Sequence, residues 1–258
     1  MRLLSLRGGD RLSWHEFSDD MVPPYAILSH TWGVEEVLYT DLLELSYKSK
    51  AGYRKILFCG QQAARDNLRY FWVDTCCIDK RNNTELTKAI NSMFLWYRKA
   101  CVCYAYMSDV SAPAMILETE TETDQSPWMA DFRQSRWFTR GWTLQELIAP
   151  GHVEFFSLQH ARLGDKQSLE KEIHEITGIQ IEALRGRSLR RFPVDVCLAW
   201  ADHRRTTEGE DAAYCLLGIF GVSMPLVYGE GRTNALRRLE NEIRRDVLLT
   251  LKAGPAAL

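Results

Sequence analysis

Four short apolar runs, spaced by stretches long enough for a helix, constrain this chain more than any other feature. They are "PYAILS" at 24 to 29, "YFWVDT" at 70 to 75, "CVCYAY" at 101 to 106 and "HVEFFS" at 152 to 157. Their β-branched, aromatic and small apolar residues suit strands, and "CVCYAY" has no polar alternation, as in a strand covered on both faces. Between them, residues 51 to 68 carry apolar groups at helical intervals. Leu86, Ile90, Met93, Phe94 and Tyr97 then recur at helical spacing. Strands separated by helices predict an α/β fold, a mostly parallel sheet flanked by helices. Such sheets bind ligands at the carboxyl ends of their strands. Here those ends are polar: Ser29 and His30, Asp74 and Thr75, Ser108 and Asp109. They are expected to converge on one edge.

A second feature is "SRWFTRGWTLQELIAP" at 135 to 150, which reads as an amphipathic helix. Leu144, Leu147 and Ile148 fall on one side, with Trp142 and Glu146 one turn apart on the other. Two readings stand. The pair lines a cleft in which an apolar wall tunes an acid, or Glu146 is solvated and shields a half-exposed indole. If a site exists, Ser29, His30, Trp32, Asp74 and Glu146 should be neighbours.

From about 179 the strands stop. "VDVCLAWADHR", "GEDAAYCLLGIFG" and "RTNALRRLENEIRRDVLL" each read as a helix, and "GIFGVSMPLVYGEG" as the segment packing this half onto the sheet. "KQSLEKEIHEITG" reads as a helix that Gly178 closes. The expected organisation is an α/β unit over 1–178 and an α-helical extension over 179–258 packed on it. The acidic "ETETETDQSP" at 118 to 127 is expected to be a surface loop.

Composition narrows the function classes. A net charge of −2 over 258 residues gives no global field for nucleic acid or an anionic membrane. "RGRSLRR" at 185 to 191 and "DHRRTT" at 202 to 207 read as solvated faces, with phosphate contact as the alternative. Seven cysteines without a secretory signal, and no apolar run long enough to span a bilayer, point to a reduced cytoplasmic chain. Adjacent Cys76 and Cys77 fit no metal spacing; Cys101 and Cys103 read as core residues sharing one strand face. No metal site is expected. Negative charge from Asp74 and Asp79 would raise the Cys76 and Cys77 thiols if they faced each other. "GEG" at 229 to 231 is too short for a dinucleotide loop, and no G-x-S-x-G elbow marks a serine hydrolase.

"YAILSHTWG", "YFWVDTCCIDK", "SRWFTRGWTLQELIAP" and "EDAAYCLLGIFGVSMPLVYGEG" resemble, in this order, the signature blocks of the heterokaryon-incompatibility (HET) domain of filamentous fungi. The resemblance runs from about 25 to 231. It implies a cell-death effector module of self/non-self recognition, often joined to a larger receptor. HET domains are in turn distantly similar to TIR domains, which implies a flavodoxin-like fold. In plant-type TIR domains a helix of the form S-x-W-C-L-x-E-L carries the glutamate of an NAD-cleaving activity. On "GWTLQEL" the resemblance assigns the catalytic role to Glu146 and the adjoining aromatic to Trp142, with Thr143 in place of the usual cysteine. "YAILSHTWG" adds Ser29, His30, Trp32 and Gly33 as candidate contacts.

The implied reaction breaks the nicotinamide–ribose bond of NAD, the substrate, with no cofactor. The leaving ring departs neutral, so one carboxylate beside the ribosyl cation suffices. Trp142 and Trp32 would pack on flat rings, with Asp74 at the same edge. Arg140 or Arg136 would meet the pyrophosphate, unless they are surface charges. His30 would hold a ribose hydroxyl or phosphate, or close the strand end structurally. A homo-oligomer is expected when active, with a receptor protein as a further partner. The alternative is a non-enzymatic module that signals by self-association or recruitment.

Overall fold

The apolar runs do become strands, and two edge hairpins extend their sheet. The computed structural model describes residues 1–113 and 127–253; the expected acidic loop, apart from Pro127, lies outside them. Among the described residues the strands are β1 (Arg2–Arg7), β2 (Arg11–Glu16), β3 (Tyr25–His30), β4 (Tyr70–Trp72), β5 (Val102–Tyr106), β6 (Val153–Phe156) and β7 (Arg162–Asp165). They form one sheet in the order β2-β1-β4-β3-β5-β6-β7.

The expectation of a mostly parallel sheet is corrected to a mixed one. β3 pairs parallel with β4 and β5, and β5 with β6, whereas the β1–β2, β1–β4 and β6–β7 pairings are antiparallel. The N-terminal hairpin accounts for two of these. Gly8 and Gly9, at φ 61° and 89°, turn the chain between Arg7 and Arg11, a conformation that costs little without a side chain. In chain order the four parallel strands lie 2-1-3-4, so the order reverses at β3. All six residues of β3 are buried, as expected for a central strand covered on both faces.

Helices Tyr53–Arg65 and Asn83–Lys99 realise the two predicted periodic stretches. Asn82 starts the second by accepting from the Thr84 and Glu85 N–H groups at 3.1 and 3.2 Å. Helix Glu170–Thr177 ends at Gly178 in the left-handed region, as the sequence indicated. In "YFWVDT" the strand pairing ends at Trp72, Val73 stays extended, and Asp74 opens the short helix Asp74–Cys77. Cys101 and Cys103 do not share a core face: Cys103 is buried in β5, while Cys101 precedes the strand and is exposed.

Beyond Gly178 the expected helices appear, with differences. "GEDAAYCLLGIFG" is two short helices, Asp211–Tyr214 and Leu217–Phe220. "GIFGVSMPLVYGEG" lies on helix Asn83–Lys99, where a Cβ on Gly218 would stand 2.0 Å from that of Phe94. Asn91 holds the Met224 backbone through both of its amide atoms at 3.3 and 3.1 Å. Arg204 is no solvated charge. It is 7% exposed and donates to Arg140 O and Thr143 Oγ1, both at 2.9 Å. Among the described residues no helix is long and apolar enough to cross a membrane.

Candidate functional site

Glu146 lies on helix Thr143–Ile148, six residues that are all buried. The wheel placed Trp142 and Glu146 opposite a single core stripe; instead all six helix residues are buried, and the Trp142–Glu146 side borders a cleft. The segment after Gly178 covers the face that the wheel left open. Thr143 donates to Trp137 O at 2.6 Å, and Lys166 Nζ caps the other end at Leu147 O and Pro150 O, 3.3 and 2.5 Å away. A short helix gains its stability from such tertiary anchors.

The carboxyl group of Glu146 points to the carboxyl end of β3. Ser29 Oγ donates to Glu146 Oε2 at 2.5 Å and accepts from the Trp137 indole at 2.9 Å. Burial raises the Glu146 carboxyl to about 8, with Asp74 adding to the rise; Ser29, Tyr97 and Arg204 oppose it.

Asp74, beside it, behaves in the opposite way. Its Oδ1 meets His30 Nε2 at 2.8 Å, its Oδ2 accepts from the Trp32 indole at 2.9 Å, and Lys80 Nζ lies 3.7 Å away. Burial opposes ionisation, but Lys80 and His30 outweigh it and hold this carboxyl well below its ordinary range. The Lys80 ammonium also sits 3.6 Å from the Trp32 ring centroid. Two carboxyls with displaced pKa values of opposite sign thus share one cleft, the arrangement by which protein sites separate an acid from an anion.

The cleft has a volume of about 260 Å³, and His30, Trp32, Asp74, Arg140, Trp142 and Glu146 all line it. Leu86, Ile90 and Met93 of helix Asn83–Lys99 give it an apolar side. The neighbourhood anticipated for Ser29, His30, Trp32, Asp74 and Glu146 is therefore present, with Ser29 reached through Glu146. Other expectations are corrected. Gly33 does not line the cleft; its N–H is taken by Glu36 Oε1 at 2.5 Å. Arg136 lies apart, with Nη2 on Ser108 Oγ at 3.3 Å. Asp109 joins no ligand edge, because its two oxygens hold Ser135 Oγ and Arg136 N at 2.7 and 2.8 Å and so start the turn Arg136–Thr139. Cys76 is pushed far up, by burial first and by Cys77 and Asp74 after it, so it is no thiolate nucleophile. Among the described residues no cluster of His, Cys, Asp or Glu could hold a metal ion.

Sequence reasoning missed Lys80, Asp211 and Tyr228, which also line the cleft. Lys80 closes the quoted "YFWVDTCCIDK", and the other two lie in "EDAAYCLLGIFGVSMPLVYGEG". Membership of those blocks was the one signal available, since a lone charge or tyrosine in a loop has no periodicity.

Residues 25–146 match the family model described as heterokaryon incompatibility protein (HET). Over 227 residues the chain is 56% identical to the vegetative incompatibility protein HET-E-1 of Podospora anserina, covering 87% of this chain and 16% of that protein. The chain thus spans about a sixth of the length of the relative it matches. No solved structure matches it. This chain belongs to the heterokaryon-incompatibility (HET) family.

Proposed function

We propose that this chain is a cell-death module of heterokaryon incompatibility that acts as a TIR-like NAD glycohydrolase in the cytoplasm, with Glu146 as its catalytic residue. The observation that carries this reading is a buried carboxyl, hydrogen-bonded to Ser29 at the strand end, on the wall of a cleft lined by Trp142 and Trp32. The 2-1-3-4 order of the parallel strands supports the flavodoxin-like comparison, because ligands of such sheets sit where the order reverses, and here that point is β3.

The chemistry suits the electrostatics. A carboxyl kept neutral by burial ionises when positive charge arrives beside it, and the oxidised nicotinamide ring is a cation. As the ring leaves, charge passes to the ribosyl centre, where the Glu146 carboxylate stabilises it. Water then adds to that centre and passes its proton to the Glu146 carboxylate, which returns to its neutral form. At about 260 Å³ the cleft lies just below the roughly 300–1,000 Å³ usual for ligand sites, a size suited to the reacting half of a dinucleotide. Trp142 and Trp32 would flank the flat ring, and Lys80 and Arg140 are the cations available for phosphate oxygens. Self-association would raise activity, and in a longer protein a receptor segment would trigger it.

The test is nicotinamide release from NAD by concentrated protein. Glu146→Gln should lower kcat by about 10²–10³-fold, the scale for losing one preorganised transition-state contact, and Trp142→Ala should raise KM. Unchanged release in Glu146→Gln removes the catalytic assignment. No release by the wild type, even when forced to oligomerise, favours the non-enzymatic module.

A further inference from the structure

The stretch 207–231 had no role in the sequence reading beyond packing, yet it supplies Thr207, Glu208, Asp211 and Tyr228 to the cleft. The match to the family model stops at residue 146, so this wall lies outside it. Asp211 is its centre. Oδ2 accepts from the Trp142 indole N–H and Oδ1 from the Tyr228 hydroxyl, both at 2.9 Å. One carboxylate therefore holds two aromatic rings by their polar edges, and both rings line the cleft.

The loop bearing Tyr228 is tied down independently. Glu210 Oε1 accepts from the Gly229 and Gly231 N–H groups at 2.9 and 2.8 Å, and the Tyr214 hydroxyl accepts from Val227 N at 2.8 Å. Gly229 and Gly231 stand at φ 97° and 80°, a region open to glycine, which lets both N–H groups turn toward one oxygen. Burial pushes the Asp211 carboxyl up, and its two donors oppose that. Losing the carboxylate would leave the Trp142 N–H without its acceptor in a half-buried place.

We infer that Asp211 is the positioning residue of the Glu146 cleft: it fixes the Trp142 indole as the wall against which a flat heteroaromatic ring stacks, so the binding site is complete only with 207–231. That the ring is nicotinamide rests on the function proposed above; the positioning does not.

The test uses the full chain labelled with 5-fluorotryptophan, the Trp142 fluorine resonance being identified by its loss in Trp142→Phe. Asp211→Ala should shift and broaden that resonance while Trp72 and Trp137, deep in the core, keep theirs. Asp211→Asn should restore it, because an amide oxygen still accepts from the indole. For NAD cleavage, Asp211→Ala should raise KM about tenfold, the factor for about 1.4 kcal/mol, with kcat within about twofold, and Asp211→Asn should recover most of the KM. A Trp142 resonance indifferent to Asp211→Ala overturns the inference, as does a fall in kcat at unchanged KM. If Asp211→Ala does not fold, Tyr228→Phe replaces it: freeing one carboxylate oxygen should broaden the same resonance, and an unmoved signal overturns the inference. A Trp142 resonance that responds to Asp211→Ala but not to added NAD sinks the NAD reading alone.

Discussion

Glu36 and Glu146 are equally buried, at 7% and 6% exposed, and the molecule treats them differently. Glu36, in the loop after β3, meets the Lys55 ammonium at 2.5 Å and also takes the Gly33 N–H. Glu146, in the cleft, has a hydroxyl at 2.5 Å and no ion pair among the described residues; the buried guanidinium of Arg204 acts on it only at longer range, its Nε and Nη1 being bonded to carbonyl and hydroxyl oxygens. A buried carboxyl matched to a cation is an architectural element. One left without its cation carries the cost of desolvation, and such groups concentrate where ligands bind. The pair at Glu36 fixes the loop that carries Trp32 toward Asp74, so the compensated carboxyl supports the uncompensated one.

This comparison breaks most directly at Lys55. Lys55→Met would strand the Glu36 charge, and breaking a buried pair from one side costs about 3–5 kcal/mol. Urea unfolding should register that loss at pH 7. A double variant, Lys55→Met with Glu36→Gln, should recover most of it, since no charge then remains. If the single variant costs under about 1 kcal/mol, Glu36 is not held as an ion and the contrast with Glu146 disappears.

The next effect is smaller and runs with pH. The Glu146 carboxyl stands at about 8 in the folded chain against an ordinary 4.5, so the folded state binds the extra proton between those values. Stability from this group is fully present below about 4.5 and declines as pH rises through 8, at up to about 1.4 kcal/mol per pH unit. Glu146→Gln cannot titrate. It should match the wild type near pH 4.5 and exceed it by a few kcal/mol near pH 8.5, read from urea midpoints. Parallel curves for the two proteins would mean that the Glu146 carboxyl is ionised throughout.

How much of this was written in the sequence differs between the sheet and the cleft. The four central strands were legible because burial on both faces leaves a continuous apolar run, and β3 is such a run from Tyr25 to His30. The N-terminal hairpin carried its own signal in "RLLSLRGGDRLSWHE", an alternating pattern around two glycines, which the βαβ reading passed over. The strand-end half of the cleft was also legible, because Ser29, His30 and Asp74 follow immediately on predicted strands. The other half was not. Asp211 reaches Trp142 across 69 positions of sequence and Tyr228 across 17. Helix periodicity reports which face is buried, not what buries it, so a wheel drawn on Trp142 and Glu146 had to leave their side open. Arg204 misled for the same reason: in "DHRRTT" nothing distinguishes a solvated guanidinium from one that caps a buried backbone.

Lys166 sharpens the comparison from the cationic side. Like Lys55 it is almost wholly buried, but its partners are the carbonyls of Leu147 and Pro150, at the end of the helix that bears Glu146. Burial lowers this ammonium to about 8, so from about 8 up to the ordinary 10.5 the folded chain binds fewer protons than the unfolded one, and this group's contribution to stability rises with pH. Lys166→Met strands no charge. It frees two carbonyl oxygens and should cost about 1–3 kcal/mol near neutrality, the scale for unsatisfied buried acceptors. The cost should fall below that of Lys55→Met, and the variant should lack the rise above pH 8. Equal losses in the two lysine variants would mean that a stranded carboxylate costs no more than stranded carbonyls, and Glu146 would then bear no special penalty for lacking a cation.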